Sequence, residues 1–215
     1  MSLEVMISQL AGGMVTTIQI FAATLLFSLP LGLLVAFGRM SRIKPIQLLA
    51  KVYISIMRGT PLMLQLMVVF FGPYFLFGVT INNYRMPAVL IGFAINYAAY
   101  FAEIYRGGIE SIPAGQYEAA RVLGYTRVQT FFRIVFPQVV KRILPSVTNE
   151  VITLVKDTSL AFVLSVPEMF TNAKQIAAAQ TSMAAFVAAG IFYYVFNLIV
   201  AVAMELFEKK LSYYK

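Results

Sequence analysis

The chain has 215 residues, 60% of them hydrophobic and 12% charged, with 17 Lys+Arg against 9 Asp+Glu and neither His nor Cys. Soluble domains carry about 25% charge and about 45–50% apolar residues, so lipid is the indicated solvent. The missing His and Cys exclude imidazole bases, thiol nucleophiles and zinc sites built from the usual ligands, and without a GxxxxGK[ST] run the chain has no phosphate loop for ATP.

Charge-free stretches set the elements. Thirty-four uncharged residues separate Glu4 from Arg39, twenty-six separate Arg58 from Arg85, and thirty separate Lys174 from Glu205. About 20 mostly apolar residues cross the hydrocarbon core as a helix, the conformation that bonds every backbone amide within its own segment. Met86 to Tyr105 and Ile143 to Val166 reach that length too, although they carry Glu103 and the trio Glu150, Lys156 and Asp157. The fold class read here is all-α and integral to a membrane. Five transmembrane helices, near 14–37, 58–78, 87–106, 143–165 and 184–206, form a single domain over 1–215.

The first span is not read as a cleaved signal peptide, because no Lys or Arg precedes it and its apolar run is too long. Pro30 is expected to bend it. Thr60-Pro61 reads as the N-cap and first helical residue of the second span, and Gly72-Pro73 as a kink or break before its outer end. Between the third and fourth spans lies the loop 107–142. In it Tyr117 to Thr126 reads as a short helix stopped by Gly124, and Val128 to Val135 as a second piece ended by Pro137. Further on, Ala184/Ala188 and Ala185/Ala189 stand at i, i+4. Either they permit close helix contact or they reflect how common alanine is in membrane helices.

Counting Lys and Arg orients the chain. With the N-terminus outside, the inner side receives Arg39, Arg42, Lys44, Lys51, Arg58, Arg106, Arg121, Arg127, Arg133, Lys141, Arg142, Lys209, Lys210 and Lys215. Arg85 and Lys174 fall outside and Lys156 within a span. The positive-inside rule therefore places the N-terminus outside and the C-terminus in the cytoplasm. The basic excess then faces anionic lipid and cytoplasm, and nucleic acid is not required to explain it.

The inner loop is more than a connector by composition. Ala119, Ala120 and Gly124 are interleaved with aromatics and arginines, the residues that allow close approach and anchor protein interfaces. Its spacing is Glu118-Ala119-Ala120, three residues, Gly124, nine residues, Ile134, one residue, then Phe136-Pro137. This resembles the signature loop of permease subunits of binding-protein-dependent ABC importers, with Phe136 where the family usually has Leu. RGTP at Arg58–Pro61, RGGIESIPAGQ at Arg106–Gln116 and KDTSL at Lys156–Leu160 are similar to its polar amino-acid branch. The resemblance implies a multi-pass permease of a prokaryotic plasma membrane. It implies a second permease subunit, identical or paralogous, two cytoplasmic ATPase subunits that hold ATP and Mg, and an extracytoplasmic amino-acid-binding protein. No cofactor is expected in this chain. By the same resemblance the loop docks on the ATPase as coupling helices, with Glu118, Ala119, Ala120, Arg121 and Gly124 as the coupling residues.

The fourth span carries the chemistry. A charge at mid-membrane costs roughly 2.5–3.5 kcal/mol, so such groups face a partner, a cavity or one another. Glu150 and Asp157 are seven residues apart, which places them within about 20° of one helix face and about 10.5 Å apart along the axis. Thr153 lies beside that face, while Lys156 points away from it. Asn96, Tyr100 and Glu103 form a second polar stripe on the third span, and Arg106 at i+3 should pair with Glu103. Asn96 suits either helix–helix hydrogen bonding or contact with cargo. For Glu150 and Asp157 the alternatives are a buried ion-pair network and a substrate site. As a site, Asn96, Glu150, Thr153 and Asp157 would offer negative charge to an ammonium or guanidinium group.

The expected function is thus a non-catalytic permease subunit of an ATP-driven importer for arginine, lysine or histidine, with glutamine or another polar amino acid as the alternative cargo. A secondary transporter or channel leaves the inner loop unexplained, and the chain lacks the inverted repeat common in such folds. An intramembrane enzyme using Glu150 and Asp157 fails on distance, since about 10.5 Å is too long for a shared-proton dyad.

Overall fold

The computed structural model describes residues 2–211; Lys215, counted above among the inner basic residues, lies outside the described residues. The described chain is helical. Its elements are α1 (Leu3–Arg39), α2 (Lys44–Gly59), α3 (Leu62–Phe77), α4 (Arg85–Glu110), α5 (Ala114–Val122) and α6 (Arg127–Thr130). After a π turn at Phe131–Val135 come α7 (Phe136–Asp157), a 3-10 stretch at Thr158–Leu164, α8 (Met169–Gln180) and α9 (Ala184–Leu211). Three helices, α1, α4 and α9, are long and apolar enough to cross a membrane, and the bent pair α2–α3 raises the number to four. Lys141, Arg142, Glu150, Lys156 and Asp157 keep α7 from that class.

The core forms where α1 lies along α4. Met6, Leu10, Gly13, Thr17, Ile20, Thr24, Ser28, Gly32 and Ala36 are the buried residues of α1, and their three-and-four spacing is one helical stripe. Gly32 lets the two backbones approach: a Cβ there would come 2.9 Å from Phe101 Cβ and 3.0 Å from the Ala98 carbonyl oxygen. Thr17 and Thr24 turn their hydroxyls back onto the Gly13 and Ile20 carbonyls, at 3.2 and 2.7 Å, which satisfies polar groups that have no water to meet. The opposite face of α1 leaves Leu26 and Leu34 about two-thirds exposed, as lipid-facing side chains would be.

Proline positions account for most differences from the sequence reading. Pro30, expected to bend the first span, stands inside α1, which continues to Arg39. The segment before the second span is itself a helix, α2, and the chain bends by 113° between α2 and α3. Thr60 closes α2 instead of capping α3, whose N-cap is Pro61. The break therefore falls at Thr60-Pro61, whereas Gly72-Pro73 sits inside α3, which ends at Gly78 in the left-handed region (φ 66). Pro137 does not end the second loop piece. It stands in the first turn of α7, where a missing N–H is tolerated, and the chain continues into that helix. The alanine-rich run is divided between α8 and α9. Ala185 and Ala189 are buried against Met6, Leu10, Met169 and Ile176, and Ala184 is exposed.

Candidate functional site: an acidic cleft beside a broken helix

Glu150 and Asp157 lie on α7, two turns apart on one face, because nothing interrupts the helix between them. That face meets the α2–α3 bend and the middle of α4 across a cleft of about 280 Å³. Asn96, Glu150, Thr153 and Asp157, the four residues expected from sequence, all line it, together with Thr60, Pro61, Leu62, Tyr97, Tyr100 and Leu160. Both carboxylates are half-buried. Among the described residues no Lys or Arg comes within ion-pair distance of either one, and the exposed Lys156 pairs with neither. Arg58 acts on Glu150, and Lys156 on Asp157, as longer-range charges.

The hydrogens on the cleft wall are largely committed to protein acceptors. The Tyr97 hydroxyl donates to Asp157 Oδ2 at 2.8 Å. Thr153 donates to the Asn149 carbonyl at 2.9 Å, and Thr60 to the Ile56 carbonyl at 2.8 Å. Asn96 Nδ2 donates to Gln65 Oε1 at 2.9 Å and to the Met57 carbonyl at 3.1 Å, which uses both amide hydrogens. Asn96 is therefore helix–helix glue through its nitrogen while still bordering the cleft. What the wall presents is mainly acceptors. Arg58 stacks over the Tyr100 ring at 5.3 Å and brings a cation near the rim.

The second polar stripe splits by surroundings. Asn96 and Tyr100 reach the cleft, but Glu103 is held by Arg106 Nη2 at 2.7 Å and by Arg39 Nε at 3.7 Å. The expected Glu103–Arg106 pair is present, and Arg39 extends it to α1.

In the loop, Gly124 ends α5 in the left-handed region (φ 79). The Tyr125 amide donates to the Ala120 carbonyl and the Gly124 amide to the Arg121 carbonyl, both at 3.0 Å, a paired closure that favours glycine. Thr126 then opens α6 in a reciprocal capping box with Gln129. Glu118, Ala119, Arg121 and Gly124 are exposed, whereas Ala120 is buried. Neighbouring apolar side chains, which the sequence reading passed over, stand out instead: Val122 is 88% exposed and Leu123 72%.

Three further residues escaped the sequence reading. Tyr97 orients Asp157. Gln65 is the lone strongly polar residue in the apolar run of α3, a signal that was present in the sequence. Glu168 is wholly buried and caps α8, accepting from the Phe170 and Thr171 amides at 2.7 and 2.6 Å, from the Thr171 hydroxyl at 2.8 Å and from the Tyr193 hydroxyl at 3.0 Å.

The chain matches the family of binding-protein-dependent transport system inner membrane components over residues 28–213. It is 34% identical over 207 residues to the L-cystine transport system permease protein TcyB of Bacillus subtilis, covering 95% of this chain and 87% of that one. It is 35% identical over 201 residues to the arginine transport system permease protein ArtQ of the same bacterium, covering 93% and 91%. A solved structure described as an amino acid ABC transporter with histidines superposes with a TM-score of 0.86 at 32% identity, over 94% of both chains. With the residue spacing of the 107–142 loop and the helical bundle, these likenesses identify the chain as a member of the binding-protein-dependent inner membrane components: a multi-pass permease subunit of a type I ABC importer, in the polar amino-acid uptake family.

Proposed function

We propose that this permease carries cationic amino acids, with arginine as the representative cargo, and that the cleft between α4, α7 and the α2–α3 bend is where the cargo sits during passage. The acceptor-rich wall is the observation that carries this reading. Glu150 has no hydrogen-bond or ion-pair partner among the described residues, and Asp157 has the Tyr97 hydroxyl alone. A guanidinium or ammonium group supplies donors and positive charge together, which offsets the cost of keeping two carboxylates away from bulk water. Asn96 and Thr153 contribute oxygen acceptors beside them, and Arg58 near the rim suits the cargo's own carboxylate.

In this reading α2–α3 and α7 complete five spans with α1, α4 and α9, the N-terminus lies outside, and the basic residues face the cytoplasm. Two such subunits, identical or paralogous, enclose the pathway. A binding protein delivers cargo from outside, and two ATPase subunits hydrolyse ATP on the inner side. Glu118, Ala119, Ala120, Arg121 and Gly124 belong to the loop that meets the ATPase. Its rigidity supports this role, since capped and closed short helices transmit displacement where a flexible linker absorbs it.

The test is uptake in proteoliposomes holding the complete importer, with arginine, lysine, histidine, glutamine and glutamate in competition. Glu150→Gln and Asp157→Asn should each weaken arginine uptake about tenfold or more, by analogy with loss of a charged hydrogen bond, while assembly with the ATPase persists. Normal arginine uptake by both variants sinks the cationic reading. The identity to the cystine permease favours a second reading, a zwitterionic polar cargo such as glutamine. It predicts that glutamine outcompetes arginine in the parent protein.

A further inference from the structure

The bend between α2 and α3 leaves carbonyls that a continuing helix would satisfy. The Met57 carbonyl loses most, since residue 61, whose N–H it would accept in a continuing helix, is a proline without one. Its place is taken by side chains: Gln65 Nε2 donates to the Met57 carbonyl at 3.0 Å and Asn96 Nδ2 donates to it at 3.1 Å. Gln65 Nε2 also reaches the Thr60 carbonyl at 3.1 Å and the Thr60 hydroxyl at 2.8 Å, while Gln65 Oε1 accepts from Asn96 at 2.9 Å. One side chain therefore ties the end of α2, the start of α3 and the middle of α4. Gln65 is 8% exposed and does not line the cleft, but Thr60, to which it is bonded, does.

We propose that Gln65 is a positioning residue for cargo recognition: it fixes the Thr60–Leu62 wall opposite Glu150 and Asp157 and so sets the width of the cleft. The assignment rests on the cleft being the cargo site. Without Gln65 the Met57 carbonyl keeps only the Asn96 donor, and the Thr60 carbonyl and hydroxyl, on the exposed cleft wall, lose their tie to α3. Removing its amide therefore frees the Thr60–Leu62 wall to shift relative to α3 and α4, and the carboxylates across the cleft no longer close on the same cargo. The effect acts through Thr60 and the bend, with no contact between Gln65 and cargo.

The experiment uses the complete importer in proteoliposomes with arginine as the probe. Gln65→Met keeps the length of the side chain and deletes both its donors and its acceptor. We expect the half-saturating arginine concentration to rise about tenfold, with the maximal rate held within about twofold and the yield of complex unchanged. Because the chain has no cysteine, Leu62→Cys gives a single labelling point on the cleft wall. Arginine should slow its modification by a thiol-reactive ammonium reagent when Gln65 is present and fail to do so beside Gln65→Met. Unchanged half-saturation and unchanged protection in Gln65→Met overturn the assignment. So does a fall in maximal rate or in complex yield alone, which makes Gln65 a folding residue. Should arginine give Leu62→Cys no protection even with Gln65 in place, the cleft is not the cargo site and the assignment falls with that reading.

Discussion

Glu168 and the pair Glu150 and Asp157 are carboxylates withdrawn from bulk water, and the protein provides for them in opposite ways. Glu168 is wholly buried and receives four donors, two from backbone amides and two from hydroxyls. Glu150 and Asp157 are half-buried and share one donor between them, the Tyr97 hydroxyl on Asp157. An ionised carboxylate accepts at about four lone-pair sites. At Glu168 these are filled from within, which ties the start of α8 to α9. In the cleft most have no donor among the described residues. Satisfaction thus separates a carboxylate that holds the fold from carboxylates left able to accept from outside the chain, where burial alone does not.

The contrast breaks most visibly at Glu168. Glu168→Ala removes an N-cap and leaves the Tyr193 hydroxyl without its acceptor, a loss of about 3 kcal/mol that should lower the thermal unfolding midpoint of the detergent-solubilised protein. The half-saturating arginine concentration of complexes that do assemble should stay at the parent value. An unchanged midpoint with altered half-saturation would reverse the roles assigned to the two sites. A smaller effect is expected from Tyr97→Phe, which keeps the ring packed against Phe93 and Phe101 and deletes only the donor to Asp157. Losing that orientation should raise half-saturation by about fivefold, near 1 kcal/mol, without moving the midpoint. Equal half-saturation in Tyr97→Phe and parent would mean that Asp157 needs no holding.

The candidate site's shared cleft was legible in the sequence to the extent that charge is rare in lipid. Asn96, Glu150, Thr153 and Asp157 were found because their helical spacing is local and any polar residue in an apolar run demands a reason. The bend was harder to place. Thr60-Pro61 and Gly72-Pro73 carry similar local signals, and the break falls at the first, where the Gln65 and Asn96 side chains meet the exposed carbonyls. Those bonds join residues 39 and 8 apart along the chain, beyond the reach of periodicity. Glu168 was missed for the same reason, since Tyr193 stands 25 residues away. In the loop, composition drew attention to Ala119, Ala120 and Gly124, yet Val122 and Leu123 are the more exposed side chains.

The loop offers the next test. A Cβ at Gly124 meets nothing within 4 Å, so Gly124→Ala adds no clash and costs only the left-handed backbone, about 1 kcal/mol. We expect it to retain most of the transport-stimulated ATP hydrolysis. Gly124→Trp adds bulk to the same strain and should abolish that stimulation while membrane insertion persists. If both variants couple like the parent protein, Gly124 serves the α5 turn and not a docking face.

The smallest effect is expected where a carboxylate is provided for in a third way. Glu103 lies between Arg106 at 2.7 Å and Arg39 at 3.7 Å, and Arg106 also reaches Glu110. Arg106→Gln leaves Glu103 one cation and retains a donor at the same position, and the Arg106 side chain is 27% exposed. The loss should be about 0.5 kcal/mol, and added salt should shrink it further, because partly exposed ion pairs are screened. Arg39→Gln alone should behave alike, since Arg106 remains. Replacing both leaves Glu103 with neither ion pair, so the double variant should exceed the sum of the two single losses in thermal unfolding. A strictly additive double variant would show that the two arginines do not share Glu103, leaving Arg39 to pack against α4 by its aliphatic stem.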